Sequence, residues 1–376
     1  MTRPRFDMGR LLAVARKEVI QLRRDTRSLV LAFLLPVLLL ILFGYAITWD
    51  VTDVSTVVVD HDQSTRSREL VDAFRSSRYF TVAPELDRTA EIAPLLDRGG
   101  AQLALVIPPG FGADLESGRP APLQAVVDGS DANTAGIILN YTQGVVRTYD
   151  TRVRFAGQTL APPVQVRSRV WYNEELRSRN MIVPGLVAVI MMIIAAMLTS
   201  LTIAREWERG TMEQLAATPV TRSEVVLGKL LPYLGIGLAD VAITSLLGVW
   251  LFQVPFRGDP VLLTILTTAF IVGALGLGMF ISAATRSQLL ATQVAMVLTF
   301  LPAFLLSGFM YAIDIMPRAL QAITYLVPAR YFLVVTRGIF LKGVGMDELR
   351  TQGLLMIAFG ALGLFLAIRV FRKEIR

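Results

Sequence analysis

Six stretches of this chain are apolar for long enough to cross a bilayer. They run over Leu29–Ile47, Met181–Ile203, Val225–Phe252, Val261–Ala284, Leu289–Met310 and Gly353–Val370. A helix needs about 20 mainly apolar residues to cover the hydrocarbon core. Inside lipid every backbone N–H and C=O must be satisfied internally, which leaves helices and closed barrels. These runs are continuous rather than alternating, so they read as helices, and the chain as an α-helical polytopic membrane protein with six spans. With 53% hydrophobic residues in 376, it is not an ordinary soluble protein.

Charge orients the spans. Arg10, Arg16, Lys17, Arg23, Arg24 and Arg27 precede the first, and Arg369, Arg372, Lys373 and Arg376 follow the last. Because basic loops stay inside, both termini are expected in the cytoplasm, as an even number of spans requires. Arg205, Arg209, Arg222 and Lys229 place the second inside loop there too. Residues 48–180 carry 14 Arg and no Lys against 17 acidic residues, a net −3, so the remaining chain carries +10. That excess flanks membrane segments, so it reflects topology rather than nucleic-acid binding. The expected organisation is an amphipathic helical segment (1–28), the first span (29–47), an outside domain (48–180), and a five-span domain (181–376). The first span is too long, and lacks a small-residue cleavage site, for a removable signal peptide.

Met8–Arg27 has Leu11, Leu12, Ala15, Val19 and Leu22 on one helical face and Arg16, Lys17, Arg23 and Arg24 on the other. Such a helix is expected in the headgroup layer, apolar side down. The outside domain alternates strand-like and helix-like segments: strands at Val54–Val59, Phe80–Ala83, Gln102–Ile107, Leu123–Asp128 and Val164–Tyr172, and helices at Ser64–Ser76, Thr89–Asp97, Phe111–Leu115 and Asn133–Phe155. This is an inserted α/β pattern. Asp60-His61-Asp62 reads as a solvated turn rather than a metal site, and Asp128-Gly129-Ser130-Asp131 as a turn into a helix cap.

The loop Arg205–Arg222, REWERGTMEQLAATPVTR, builds a rigid element between two spans. Gly210 stops the preceding helix. Thr211 with Gln214, and Thr221 with Glu224, read as capping boxes. Pro219 stops the short helix between them. The last outside loop, about Tyr311–Gln352, is unusually basic and contains the semi-apolar run Ala322–Phe340, broken at Pro328 and Arg330. It is read as a re-entrant or interfacial hairpin, since a seventh span would put the basic tail outside.

The chain has no cysteine, which excludes thiolate chemistry, and its one histidine, His61, argues against a histidine-built metal centre or a catalytic triad. No Walker phosphate loop and no nucleophile elbow occurs, so no cofactor is expected on this chain and energy must come from another subunit. Asp240 is the one clear ionisable residue inside a span. It supports an alternative, an ion-coupled secondary transporter using Asp240 as the pathway carboxylate; a membrane-anchored sensor is disfavoured by six spans and a short tail. Gly235, Gly237, Gly273, Gly276 and Gly278 favour close helix packing, and Pro36, Pro184, Pro232 and Pro302 favour kinks.

Three segments, ARKEVIQLRRDTRSLVLAFLLP, REWERGTMEQLAATPV and LSGFMYAIDIMPRALQAITYLVPARYFLVVTRGIFLKG, occur in that order. On them the chain resembles bacterial ABC-transporter permeases of the type-two export class, in the group with a large extracytoplasmic domain after the first span. The resemblance implies a permease of the bacterial inner membrane paired with a second permease half, identical or related. Beneath them would lie cytoplasmic ATPase subunits that bind ATP and Mg. It implies a coupling helix (205–222) matched at Glu206, Glu208, Arg209, Gly210, Thr211, Glu213 and Pro219, and a connecting helix that includes Lys17, Glu18, Arg24 and Asp25. It further implies re-entrant helices at the outer gate (307–343), with Ser307, Gly308, Pro317 and Pro328. A periplasmic adaptor and an outer-membrane channel are further partners of similar permeases.

The expected topology has a direct check. Single cysteines at Ser223, at Ser130 and at the C-terminus should differ in intact cells: an impermeant thiol reagent should reach position 130 alone. Reaction at 223 from outside would overturn the orientation.

Overall fold

The computed structural model describes residues 6–47, 51, 53–154, 171–173 and 177–371. The chain divides into two units, one of Met1–Thr48 with Val170–Arg376 and one of Trp49–Arg169. In chain order, the first unit opens with α1 (Met8–Arg24) and α2 (Thr26–Ala46). The second holds β1 (Val54–Asp60), α3 (Thr65–Arg75), β2 (Phe80–Val82), α4 (Ile92–Asp97), β3 (Leu103–Ile107), α5 (Phe111–Glu116), β4 (Gln124–Val127) and α6 (Ala132–Arg154). The first unit resumes with α7 (Ser178–Glu208), α8 (Met212–Ala217), α9 (Arg222–Trp250), α10 (Pro260–Thr285), α11 (Gln288–Ala295), α12 (Leu301–Leu305), α13 (Arg318–Thr324), α14 (Pro328–Arg337) and α15 (Met346–Val370).

Among the described residues, six helices are long and apolar enough to cross a membrane. The centre of the first unit is α7, apolar all round, with every residue from Ile182 to Ala196 buried. Glycines set how closely its neighbours approach. A Cβ at Gly278 would stand 2.3 Å from the Ala196 carbonyl oxygen of α7, and one at Gly276 would stand 2.7 Å from the Gly363 backbone of α15. Gly235 differs: nothing lies within 4 Å of where its Cβ would be.

The helices outrun the apolar stretches because their ends are polar and capped. The last begins at Met346 rather than Gly353, where Glu348 reaches back to the Gly345 N–H at 3.1 Å. The fifth apolar run, expected over Leu289–Met310, forms one helical span over Gln288–Leu305, composed of α11, a π turn at Met296–Phe300, and α12. Pro302 has no N–H for the carbonyl four residues back, and a π turn just before it absorbs the mismatch. The helix then stops at Leu305, ahead of Gly308 at φ +85°. The semi-apolar run forms two pieces, Arg318–Thr324 and Pro328–Lys342, bent by 76°. Pro328 at the first position of α14 pushes the preceding residue out of the helical region, and Val327 is extended there.

The second unit is built on a four-stranded sheet in the order β2-β1-β3-β4. β1 pairs in parallel with β2 and β3, and β4 is antiparallel to β3. β1 is β-branched throughout its centre because both sheet faces are covered. Val54 and Val58 pack with Leu70, Phe74 and Ile138 on one side, and Val57 and Val59 with Ile92 on the other. The strand expected over Val164–Tyr172 lies, for residues 164–170, outside the described residues. In the Asp60-His61-Asp62 turn, Asp60 accepts from the Asp62 and Gln63 N–H groups, and Asp62 from Gly110 N at 2.7 Å and Gly112 N at 2.9 Å. Hydrogen bonds from Ser64 and from these backbone groups hold the Asp62 carboxyl below its ordinary range. The turn staples two loops at one end of the sheet.

Gly276→Val should drive Cβ and its methyls into the α15 backbone. Overpacking of this kind costs about 1–3 kcal/mol, and more where only backbone can yield. The variant should lose most of its monodisperse peak in detergent size-exclusion chromatography, whereas Gly235→Val should not.

Candidate functional site

The charged side chains of α1, α7 and α9 meet at one end of the first unit. α1 starts at Asp7, whose side chain accepts from Gly9 N at 2.8 Å. Its inward stripe is Leu11, Ala15, Glu18 and Leu22, so a carboxylate takes one place in an otherwise apolar row. The stripe packs on α9, where Gly228 permits the approach: a Cβ there would lie 2.8 Å from Val14 and 2.9 Å from the Leu11 carbonyl. Sequence analysis put the whole apolar face of this helix into the headgroup layer. Instead half of it is covered by protein, because Gly228 opens a seat for it, and Leu12 and Val19 remain exposed.

Next to Gly228 stands Lys229, only 1% exposed although cationic. Its ammonium donates to Glu18 Oε1 at 2.6 Å and to Glu206 Oε1 at 2.9 Å. Lys17, at the edge, adds a second ammonium, 2.7 Å from Glu206 Oε1 and 3.4 Å from Glu18 Oε1. Two carboxylates and two ammoniums thus form a neutral cluster spanning three helices. Burial pulls the Lys17 ammonium down, but its hydrogen bond and charge contact with Glu206 outweigh this and raise its pKa above the ordinary lysine value. Its contribution to stability is therefore intact at neutral pH and is lost only as pH rises through that raised pKa.

Two further ion pairs frame the cluster. Arg205 binds Asp25, in the α1–α2 junction, at 3.0 Å. Arg10 binds the buried Glu224 at 3.0 Å and donates to the Pro219 carbonyl at 2.8 Å. Glu224 also accepts from Thr221 N and Asp7 N, both at 2.7 Å, and completes the expected capping box with Thr221.

The other expected box does not form. Thr211 already has helical backbone angles, φ −74° and ψ −8°, directly after Gly210 at φ +70°, so its hydroxyl cannot reach forward to cap α8. It turns back to the Glu206 carbonyl at 3.4 Å. α8 itself is anchored by the buried Met212 and displays Glu213 to solvent. Between α8 and α1 lies a groove of about 320 Å³ lined by Lys17, Gln21, Arg205, Glu206, Arg209 and Gln214, among others. Glu206 Oε2 is buried there without a hydrogen-bond partner among the described residues.

The remaining expected residues scatter. Glu208 accepts from the Gln288 N–H at 2.8 Å and from its side-chain amide, and so caps α11. Beside it, Arg286 lies 4.6 Å over the Trp207 ring. Arg24 is exposed on the last turn of α1. Asp240 is buried in α9 with Oδ2 unpartnered, away from this cluster. Ser307 is buried and accepts from Phe309 N at 3.2 Å; Pro317 is exposed, and Pro328 is buried at the start of α14. Sequence reasoning used Lys229, Arg10 and Glu224 only for orientation or capping. The signal for more was present: a lysine two turns into an apolar span, and a glutamate on an apolar stripe.

Residues 27–369, nearly the whole chain with all six spans, match the ABC-2 family transporter protein. The chain belongs to the ABC-2 transporter family. It is 37% identical over 345 residues to the probable multidrug ABC transporter permease YbhS of Escherichia coli K12, covering 91% of each chain. The probable multidrug permease YbhR of the same strain is 33% identical over 90% of this chain and 91% of its own. The linearmycin resistance permease protein LnrN of Bacillus subtilis is 22% identical over 97% of this chain. The protein is thus the membrane-spanning permease subunit of an ABC exporter, a multi-pass protein without an ATPase site of its own. Members pair as permeases and use ATP and Mg through a partner ATPase.

Lys229→Met should leave Glu18 and Glu206 buried without their shared cation. Breaking a buried pair in this way costs about 3–5 kcal/mol. Thermal unfolding in detergent should show a large fall in midpoint, and the triple change Glu18→Gln, Glu206→Gln, Lys229→Met should recover most of it. No recovery would mean that shape rather than charge holds the three helices.

Proposed function

We propose that the Lys229 cluster and α8 together form the device through which an ATPase subunit moves the helices of this ABC-2 permease. The observation that carries this reading is the covalently and electrostatically continuous path from an exposed short helix into the membrane segments. α8 follows α7 across Gly210, Glu206 on the last turn of α7 shares Lys229 with α1, and Arg10 of α1 grips the carbonyl of Pro219 at the far end of the loop. A push on α8 is therefore felt at once by α1, α7 and α9. The unpartnered Glu206 Oε2 in the adjoining groove supports a donor from the ATPase at that point, since a buried carboxylate oxygen without a partner is costly.

On this reading 205–222 is the coupling helix, with Arg209, Thr211 and Glu213 at the ATPase surface and Gly210 and Pro219 fixing its ends. Lys17, Glu18, Arg24 and Asp25 belong to the connecting helix, and Glu208 serves by holding α11 against it. Both termini and this cluster face the cytoplasm, and the protein resides in the bacterial inner membrane, in keeping with the basic flanks and with the inner membrane transport permease YhhJ, 28% identical over 85% of the chain. The sheet-based unit is then an inserted extracytoplasmic α/β domain. Its groove of about 940 Å³ between α3 and α6, with Tyr79, Tyr141 and Tyr149 on its walls, supports a contact there with a periplasmic adaptor leading to an outer-membrane channel. The bent pair α13–α14, with Ser307, Gly308, Pro317 and Pro328, acts as a re-entrant outer gate. The named activity of the multidrug relatives supports export of apolar compounds through a pore completed by a second permease half, identical or related. Asp240 is an unpaired carboxylate in one helix rather than part of a proton relay, and Asp240→Asn should keep transport.

Glu213 makes no ion pair among the described residues and is exposed, so Glu213→Arg should cost within about 0.5 kcal/mol of folding stability. At a docking surface the same reversal costs several kcal/mol. The variant should reach the membrane at normal abundance yet fail to retain the ATPase in pull-downs and fail to transport, with Glu85→Arg unaffected in both. Retention of ATPase and transport by Glu213→Arg would defeat the coupling assignment.

A further inference from the structure

The second half of α9 and the first two turns of α10 enclose a groove of about 440 Å³. Leu238, Val241, Leu246, Val249 and Leu263 form its walls, with Phe256 of the connecting loop also lining it. Among the described residues, no ionisable side chain lines it. Three wall residues, Ser245, Thr264 and Thr267, break the apolar pattern. The hydroxyls of Ser245 and Thr267 are sealed from water and have no hydrogen-bond partner among the described residues.

Their neighbours behave otherwise. Thr244 donates to the Asp240 carbonyl at 2.7 Å, Thr264 to Pro260 at 2.8 Å and Thr268 to Thr264 at 2.7 Å, each four residues back along its own helix. In hydrocarbon that internal bond is the cheapest way to satisfy a hydroxyl, and it is open to any serine or threonine on a helix. Ser245 and Thr267 forgo it, although Thr267 is fully buried at 0% exposure. A buried hydroxyl left in this state lacks compensation for its lost hydration unless something else accepts from it.

We propose that this groove binds an uncharged, largely apolar molecule of drug-like size carrying a hydrogen-bond acceptor, such as a ketone carbonyl or ether oxygen, taken up from within the membrane. Its volume falls in the roughly 300–1,000 Å³ range of small-molecule sites, which are apolar with a few placed polar groups. Depth separates this occupant from a phospholipid. Trp250, exposed at the end of α9, marks the headgroup level at which tryptophan concentrates. At 1.5 Å per residue, Ser245 lies about 7.5 Å deeper, and Thr267 about 10 Å beyond the start of α10 at Pro260. A phospholipid held at the headgroup level places its ester oxygens near Trp250 and only acyl chain beside the two hydroxyls. A compact molecule dissolved in the hydrocarbon brings its acceptor to them.

The test uses benzophenone, a diaryl ketone that inserts into C–H bonds when irradiated, on the full chain purified with its associated subunits and reconstituted in phosphatidylcholine vesicles. Adducts should saturate with probe and map between residues 238 and 267. Dicyclohexyl ketone should displace them, and dicyclohexylmethane, matched in shape but lacking the carbonyl, should not. Ser245→Ala with Thr267→Val should raise the half-saturating concentration about three- to ten-fold, the loss expected for one or two hydrogen bonds, without lowering the melting temperature. Ala242→Trp, which fills the groove, should abolish the adducts. The proposal is overturned by labelling that is linear in probe and equal at the exposed Leu354 and Phe365 of α15. It is equally overturned by equal displacement by both competitors, by indifference to the double variant, or by no adducts because lipid or a second permease half fills the groove.

Discussion

Lys229 Nζ is shared by two carboxylates that reach it from helices 211 and 23 residues away in sequence. Removing an ammonium from water costs several kcal/mol even after relaxation, and the same holds for each carboxylate. None of these groups could be buried alone. Each is tolerated because the others are present, so α1, α7 and α9 are held as a set. Such an arrangement adds little net stability over a packed apolar core, but it is intolerant of misalignment. A contact with those properties suits a point where movement must be passed on rather than absorbed.

Rigidity on the other side of α7 comes from a different source. There the contacts are backbone against backbone, with Gly278 over Ala196 and Gly276 against Gly363. Lipid chains are as apolar as the helices, so the hydrophobic effect gives these helices little reason to associate, and close packing must do it. α7 therefore sits between a charged contact at one end and a close-packed seam along its length. On the proposed reading, motion delivered to Glu206 at its last turn has a stiff element to travel through, and the neighbouring α11–α12 span carries a π turn ahead of Pro302.

Three of the buried polar atoms without partners among the described residues lie beside the two proposed contacts. Glu206 Oε2 lies in the groove beside α8, and the Ser245 and Thr267 hydroxyls in the groove between α9 and α10. In each case a polar atom has lost water and gained nothing within the subunit. Groups of this kind are scarce in folded proteins.

Much of this was legible in the sequence, because the bilayer imposes length and polarity on any segment that crosses it. The six apolar runs, the basic flanks, the stop at Gly210 and the box at Thr221–Glu224 all follow from local chemistry within a few residues. The failures have separate causes. Thr211 did not cap α8 because Gly210 had already set the chain into helical angles beyond the reach of its hydroxyl. The amphipathic stripe of α1 was divided because Gly228, more than two hundred residues away, opens a seat for it. Sequence by itself determined which segments enter the membrane, since that depends on composition over about 20 neighbouring residues. Tertiary structure alone decided that Glu18, Glu206 and Lys229 share one buried ionic contact, since charges from distant segments find each other only after the helices between them have packed.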